Sequence, residues 1–304
     1  MPWPVFATLA RDAEALGYAA VFLPEITGRD ALVGLGALAG ETERLRLATG
    51  IIPMGSRTPM LAAMGAAAVQ ERSGGRLVLG LGTGPAVSGA LDRLRELVER
   101  IRRLLAGDRV KIDGRTFALS LVPDEPVPIW ISALGPRALR LAGEVADGVL
   151  LNWCSPERVA AAGAQLREGA EASGRDPASV TIGVYVRASL GADAAAALRA
   201  LQAATGEYAS FPAYARQFAA IGLGDAARLA SAAHAAGRPE EVPEALVNAI
   251  CLVGDPAAAR VRLEAFREAG ADLPVVYPVA AGDDPEASVS DTLRALAPGV
   301  HSRL

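Results

Sequence analysis

Short apolar segments alternate along the chain with longer segments whose apolar residues recur every three or four positions. The apolar segments predict buried strands at residues 18–23, 45–50, 76–79, 127–132, 148–151, 180–188 and 273–279. The longer spacing predicts amphipathic helices between them. Successive strand–helix units with short connections indicate a parallel sheet, either a barrel or an open doubly wound sheet. Seven or so units favour the (β/α)8 TIM barrel, an α/β fold.

Capping and turn residues predict where several of these elements begin and end. Asp30 is expected to cap a helix over residues 31–40, and Asp255 a later helix. Residues 111–122 predict a hairpin excursion with Asp113 and Gly114 as its turn.

Residues 193–248 form an alanine-rich stretch with a helical pattern and no obvious strand. We interpret it as a helical insertion near the active-site face, followed by a short strand at residues 249–253. No repeat or low-complexity linker interrupts the sequence. Residues 1–304 are therefore predicted to form a single domain.

The composition excludes several classes of function. The formal net charge is −4, from 30 basic and 34 acidic residues, and such a balance argues against nucleic-acid binding. Cys154 and Cys251 lack metal-ligand spacing and are interpreted as buried thiols, so no metal site is predicted. The sequence shows no signal-peptide pattern and no apolar run of membrane-spanning length. We expect a cytoplasmic protein, and the high Ala, Arg and Gly content is typical of GC-rich bacterial genomes.

The most informative motif follows the strand predicted at residues 76–79. Its sequence is GLGTGP, and it includes Gly82, Thr83 and Gly84. Glycines at the carboxyl end of a strand let backbone N–H groups approach a phosphorylated ligand. They are equally typical of a tight strand-to-helix turn.

Three blocks of sequence resemble one family. They read AEALGYAAVFLPE, LATGIIPMGSRTPMLAAMGAAAVQERSGGRLVLGLGTGPA and VPIWISALGPRALRLAGEVADGVLLNW. In this order they resemble the luciferase-like (bacterial luciferase superfamily) oxidoreductases that depend on flavin or deazaflavin, most closely the branch of reductases that use the deazaflavin coenzyme F420. The resemblance implies a (β/α)8 fold with the cofactor ring at the carboxyl-terminal mouth of the barrel and a helical insertion after strand 7.

The resemblance also implies cofactor-binding residues. Gly50 and Ile51 resemble the end of the family's third strand, where some deazaflavin-binding members have a non-proline cis peptide bond. The resemblance implies two backbone cradles for the cofactor. The first comprises Gly82, Thr83 and Gly84. The second comprises Ala133, Leu134 and Gly135, where a helix N-terminus faces the phosphate. An ordinary helix start is the alternative for the second cradle. Arg57 can pair with the cofactor phosphate or with a carboxylate.

Glu25 is the candidate for catalysis, because it follows a strand and should project at the barrel mouth. Its carboxyl group can transfer a proton if burial raises its pKa, or it can be a solvated or arginine-paired glutamate. The family often has an acidic residue followed by histidine here, whereas Ile26 follows Glu25. The histidines are His234 and His301. His234 can replace the missing donor or lie on a helix surface.

Asn152 and Trp153 close a predicted strand and are candidates for the substrate pocket, with simple packing as the alternative for Trp153. An aromatic group in the insertion can serve either as helix packing or as a pocket wall or lid. It consists of Tyr208, Phe211, Tyr214 and Phe218.

The resemblance fails at the start of the chain. Family members begin with a strand, but here residues 1–4 lead almost directly into a helix, so the first strand is short or missing. An open edge is normally covered. A substitute strand, a partner subunit or a start further upstream would each cover it.

The resemblance implies an oxidoreductase that transfers hydride between reduced coenzyme F420 and a small organic substrate. An FMN-dependent luciferase-like monooxygenase is the first alternative. A degenerate member with a non-redox or ligand-binding role is the second, because the acid–histidine pair and first strand are missing. The resemblance also implies a possible homodimer, because dimers are common in the family. The apolar helix face from Met60 to Ala68 can serve as its interface, or it can pack against the core of the same chain.

Overall fold

A computed structural model describes residues 1–84, 88–191 and 193–298. The chain divides into two compact units. Unit 1 comprises Met1–Ala133, Arg137–Leu150 and Leu166–Val180, and unit 2 comprises Leu134–Pro136, Leu151–Gln165 and Thr181–Leu304. The single domain expected from the sequence stays a prediction.

Strands and helices alternate along the first half of the chain. The strands are β1 (Ala20–Leu23), β2 (Arg46–Thr49), β3 (Ile52–Pro53), β4 (Leu77–Gly82), β5 (Val110–Ile112), β6 (Arg115–Phe117), β7 (Ile129–Ser132) and β8 (Gly148–Asn152). The helices are α1 (Trp3–Ala15), α2 (Ala31–Leu38), α3 (Pro59–Ser73), α4 (Ala90–Leu105), α5 (Pro136–Val145) and α6 (Pro156–Ala172). The predicted alternation is confirmed.

The sheet of unit 1 is parallel. β1 pairs with β2, β2 with β4, β4 with β7 and β7 with β8, while β3 adds to the end of β4. Every residue of β4 is buried, as expected of a central strand covered on both faces. Parallel pairing puts the carboxyl ends of these strands at one edge, where α/β folds bind ligands.

Local sequence signals set several of the boundaries. The Asp30 side chain accepts a hydrogen bond from the Val33 N–H at 3.0 Å, so the predicted cap of α2 is confirmed. The antiparallel β5–β6 hairpin turns at Asp113 and Gly114, which both have positive φ. This excursion is also confirmed. Within residues 1–84, no strand precedes α1, as the sequence indicates.

Unit 2 contains the predicted helical stretch. Its strands are β9 (Thr181–Ser189), β10 (Cys251–Val253) and β11 (Leu273–Pro278), and both β10 and β11 pair parallel to β9. Its later helices are α7 (Ala194–Ala209), α8 (Pro212–Ala220), α9 (Gly224–Ala235), α10 (Glu244–Ile250), α11 (Pro256–Glu268) and α12 (Pro285–Ala295). Four of them, α7 to α10, lie between β9 and β10. The predicted short strand is β10, and Asp255 caps α11.

Packing in unit 2 centres on the helices between β9 and β10. A continuous buried cluster joins Trp153 and Phe218 to small and aliphatic residues of α7, α9 and α10. The alanines of these helices fill the contacts between them, which explains why the stretch is so rich in alanine. Cys154 and Cys251 are buried free thiols, as predicted, and burial raises the pKa of each to about 12.

The described ranges contain no group of three or more metal-ligating side chains. No helix in them has the length and apolar character needed to cross a membrane.

Candidate functional site

The carboxyl ends of β1 and β2 meet at the Gly50–Ile51 peptide bond, which is cis. The Gly50 N–H donates to the Leu23 carbonyl at 3.0 Å, and the Glu25 N–H donates to the Ile51 carbonyl at 3.3 Å. The cis bond therefore occurs at the position where the resemblance places one in some members. The cofactor role of Gly50 and Ile51 stays a prediction.

Gly82 ends β4 in very close contact with its neighbours. A Cβ atom there would lie 2.5 Å from the Ser132 Oγ and 2.6 Å from the Ile51 Cδ1. Packing within the protein therefore already requires this glycine. Thr83 and Gly84 follow, and the Thr83 hydroxyl donates to the Gly84 carbonyl at 3.1 Å. Their part in a cofactor cradle stays a prediction, while Pro85 of the same motif and His301 lie outside the described residues.

Glu25 forms a largely buried ion pair with Arg57. The Arg57 Nη2 donates to Glu25 Oε2 at 2.8 Å, and its Nε donates to Oε1 at 3.2 Å. The Ser56 hydroxyl donates to Oε1 at 2.9 Å and the Ala31 N–H to Oε2 at 3.2 Å. Arg57 also pairs with Asp30. Of the alternatives left open by the sequence, this geometry favours an arginine-paired glutamate and a carboxylate-paired Arg57.

The electrostatics of this group follow from the ion pair. Burial alone would raise the pKa of Glu25, but the hydrogen bonds from Arg57, Ala31 and Ser56 and the Arg57 charge lower it below its ordinary value. The pKa of Asp30 is lowered by the same balance of effects. Glu25 is therefore ionised at neutral pH, and its predicted part in proton transfer requires the ion pair to open.

In unit 2, the short segment from Leu134 to Pro136 lines a pocket of about 760 Å³. Its lining includes Leu134, Gly135, Pro136, Ser155, Arg158, Arg216 and Gln217. The buried Arg158 donates to the Leu134 carbonyl at 2.6 Å, which holds this loop at the helix start. The exposed Arg216 adds a second positive charge. The two guanidinium groups suit a phosphate, and the Glu157 carboxylate on the same lining acts against it. Ala133, the remaining residue of the predicted cradle, is buried after β7 in unit 1.

Asn152 and Trp153 meet a third residue, Arg187 of β9. An Arg187 Nη1–H group donates to the Asn152 carboxamide oxygen. The guanidinium carbon lies 4.3 Å from the centre of the Trp153 ring. The Asn152 amide in turn donates to the Tyr214 hydroxyl at 2.7 Å. The Gln217 amide donates to the carbonyls of Asn152 and Trp153 at 2.9 and 2.6 Å.

The aromatic group of the predicted insertion divides into two parts. Tyr208, Phe211 and Tyr214 contact one another, and Tyr208 lies 4.8 Å from the Trp153 ring. Phe211 is 46% exposed, whereas Phe218 is fully buried in the helical core. The packing interpretation therefore holds for Phe218. The other three rings lead from Trp153 to the surface, which suits a pocket wall.

His234 lies exposed in the last turn of α9, next to the contact of that helix with Gly206. It touches neither Asn152 nor Trp153 in any hydrogen bond or ring contact that the structure describes. This placement favours a surface helix histidine, and a role in the substrate pocket stays a prediction.

Sequence reasoning missed Arg187, Arg158 and Arg216. For Arg187 a signal exists, because it is the one charged residue within the apolar segment at 180–188, and an unpaired charge is rarely buried without a function. Arg158 and Arg216 give no such signal, because arginines on helices are ordinarily solvated.

Comparison with known proteins is consistent with this geometry. A family model described as "Luciferase-like monooxygenase" matches residues 2–273. The chain is 35% identical over 210 residues to a 5,10-methylenetetrahydromethanopterin reductase from Methanolobus tindarius, covering 64% of each chain. It is 33% identical over 190 residues to an F420-dependent glucose-6-phosphate dehydrogenase from Beutenbergia cavernae, covering 56% of each. The matches thus span less than two thirds of these relatives.

A solved structure shows the same fold over nearly the whole length. It is the coenzyme F420 dependent tetrahydromethanopterin reductase from Methanopyrus kandleri, with a TM-score of 0.77 and 22% identity over 98% of this chain and 95% of that one. The predicted luciferase-like α/β fold of the TIM-barrel type is confirmed.

Proposed function

The chain belongs to the luciferase-like monooxygenase family, and from this membership we propose that it is an oxidoreductase that transfers hydride between reduced coenzyme F420 and a small organic substrate. Relatives whose names specify F420 or methylenetetrahydromethanopterin reduction support this choice of cofactor and reaction. The bound deazaflavin would supply the hydride, and the protein would supply binding, orientation and electrostatics.

The observation that carries the proposal is the pocket at the first turn of α5. The guanidinium groups of Arg158 and Arg216 on its lining provide hydrogen-bond donors and positive charge that suit a cofactor phosphate. Arg216 forms no ion pair among the described residues, so its charge is available to an anion, while Glu157 places one carboxylate on the same lining. Leu134 and Gly135 would face the phosphate, since a Cβ added at Gly135 meets open space.

Glu25 retains a proposed part in proton transfer. Its ion pair with Arg57 makes it a poor acid in the resting protein. It would act only when substrate binding loosens that pair and lets burial raise its pKa. Glu25→Gln is expected to keep cofactor binding and to lower turnover.

Cofactor titration tests the proposal. Purified protein is titrated calorimetrically with oxidised F420 and separately with FMN. Arg216→Gln removes one pocket charge, and Arg199→Gln on the exposed face of α7 is the matched control. We expect F420 to bind more tightly than FMN. Arg216→Gln should weaken F420 binding about fivefold, or about 1 kcal/mol, with no change in Arg199→Gln.

Two other results would replace this proposal. Tighter FMN binding, with oxygen consumption on adding reduced FMN, would favour the monooxygenase that the name of the family describes. Binding of neither cofactor would favour a non-redox role, and would make the missing first strand and acid–histidine pair the decisive features.

We further propose that the enzyme acts in the bacterial cytoplasm as a homodimer. An exposed apolar stripe on α3 supports the dimer: Leu61 and Met64 are 49% and 51% exposed, and the exposed Ala68 continues the same face. Sedimentation of the wild type and of Met64→Lys tests it. A monomeric wild type would contradict the dimer.

A further inference from the structure

Arg187 is a buried cation without a buried anion. Its side chain lies on β9 and the residue is only 4% exposed. Among the residues that the structure describes, Asp and Glu form no ion pair with it. Its hydrogen-bond acceptor among those residues is the neutral Asn152 amide oxygen. Buried charges are normally paired, so this arrangement calls for an explanation.

Aromatic rings surround the guanidinium instead of carboxylates. Its central carbon lies 4.3, 4.6, 5.4 and 5.5 Å from the ring centres of Trp153, Tyr277, Tyr185 and Tyr208. Such contacts stabilise the cation through the faces of the rings, and among the described residues only its Nη1 has a hydrogen-bond acceptor, in Asn152.

The other ionisable neighbours do not supply a negative charge. Burial raises the pKa of Tyr185, raises that of Tyr214 to about 12, and raises those of Cys154 and Cys251 to about 12. These groups are therefore neutral at pH 7. Among the described residues, nothing therefore compensates the positive charge of Arg187.

A second donor lies beside Arg187. The indole Nε1–H of Trp153 is buried and has no hydrogen-bond partner among the described residues. Trp153 is only 1% exposed, so bulk solvent does not reach this N–H group. A cation with spare N–H groups and an unpaired indole N–H together match a ligand that carries negative charge and several acceptor atoms.

We infer that Arg187 and the Trp153 indole N–H form a subsite for the carboxylate of an organic substrate. The inference names the substrate class and rests on the proposed function. A carboxylate supplies the missing charge and two coplanar acceptors, which suit the planar guanidinium fork. The surrounding rings suit a flat group attached to that carboxylate.

Neighbouring residues orient and cover the subsite. Asn152 fixes one edge of the guanidinium and is itself held by the Tyr214 hydroxyl. Tyr208 stacks near Trp153 and contacts the exposed Phe211, so one ring separates the subsite from the surface residue.

Benzoate and its neutral match benzamide are the probes. Each is titrated calorimetrically into the purified protein, with and without saturating oxidised F420. Two variants remove the proposed donors: Arg187→Met removes the cation, and Trp153→Phe removes the N–H but keeps a ring. Arg199→Gln, an equal change of charge on exposed α7, is the control.

We expect the wild type to bind benzoate at least tenfold more tightly than benzamide. Arg187→Met should abolish this preference, Trp153→Phe should reduce it severalfold, and Arg199→Gln should leave it unchanged. Thermal unfolding checks that the variants fold. If Arg187→Met does not fold, the result for Trp153→Phe decides the test.

Two results would overturn the subsite. One is equal affinity of the wild type for benzoate and benzamide, both with and without F420. The other is an unchanged preference for benzoate in the folded Arg187→Met and Trp153→Phe variants. Failure of the proposed function can be distinguished from failure of the subsite. A protein that prefers benzoate but does not bind F420 would keep the subsite and reject hydride transfer from that cofactor.

Discussion

Replacing Arg57 by glutamine should destabilise the protein by about 2 kcal/mol at pH 7, between the values for exposed and fully buried ion pairs. The side chains of Arg57 and Glu25 are each 12% exposed, so the charges are largely removed from solvent. The variant loses both hydrogen bonds between them. Glu25 would still accept from Ser56 and Ala31, which keeps the expected loss below that of an orphaned buried carboxylate.

The destabilisation should depend on pH in a defined direction. The pKa of Glu25 in the folded protein lies below its value of about 4.3 in an unfolded chain. The ion pair therefore contributes its full stability above the unfolded value and loses it as the pH falls through the folded value. Asp30 adds in the same direction, because its pKa is also lowered.

Urea unfolding of wild type, Arg57→Gln, Glu25→Gln and the double variant measures both effects. At pH 7 the loss in free energy of unfolding caused by Arg57→Gln should fall below about 1 kcal/mol in the Glu25→Gln background. There only the half-exposed Asp30 remains as a partner of Arg57. The difference between wild type and Arg57→Gln should shrink below about pH 4. A loss that is independent of pH, or equal in both backgrounds, would refute the ion-pair explanation and indicate lost packing.

Two further predictions concern packing and the histidine. Gly169→Ala should destabilise the protein by about 3 kcal/mol in urea unfolding, because the new Cβ would lie 2.1 Å from the Arg140 carbonyl oxygen. Gly163→Ala on the same helix meets only Ile182 Cδ1 at 3.7 Å, so a loss as large as that of Gly169→Ala would contradict the contact argument. His234→Ala should leave kcat and KM within about twofold of wild type, as expected of an exposed residue. A tenfold fall in kcat would instead indicate that His234 acts as a proton donor.

Much of the candidate site could be anticipated because its residues follow strands. Ligand sites of α/β folds lie at the carboxyl ends of parallel strands, so Glu25 in unit 1, and Asn152 and Trp153 in unit 2, could each be selected from their positions alone. Their interaction partners could not be selected in this way. Glu25 had two equal interpretations until Arg57, 32 positions further along, was placed against it.

The sequence by itself determined the alternation of strands and helices, the caps at Asp30 and Asp255, the hairpin turn and the helical stretch before β10. Each depends on apolar periodicity or on a hydrogen bond spanning only a few residues, so a short window contains the whole signal. Only the tertiary structure decided that Arg187 lies buried against Trp153 and Asn152. That contact joins residues 35 positions apart, and the free energy of a buried charge depends on neighbours that are adjacent only after folding.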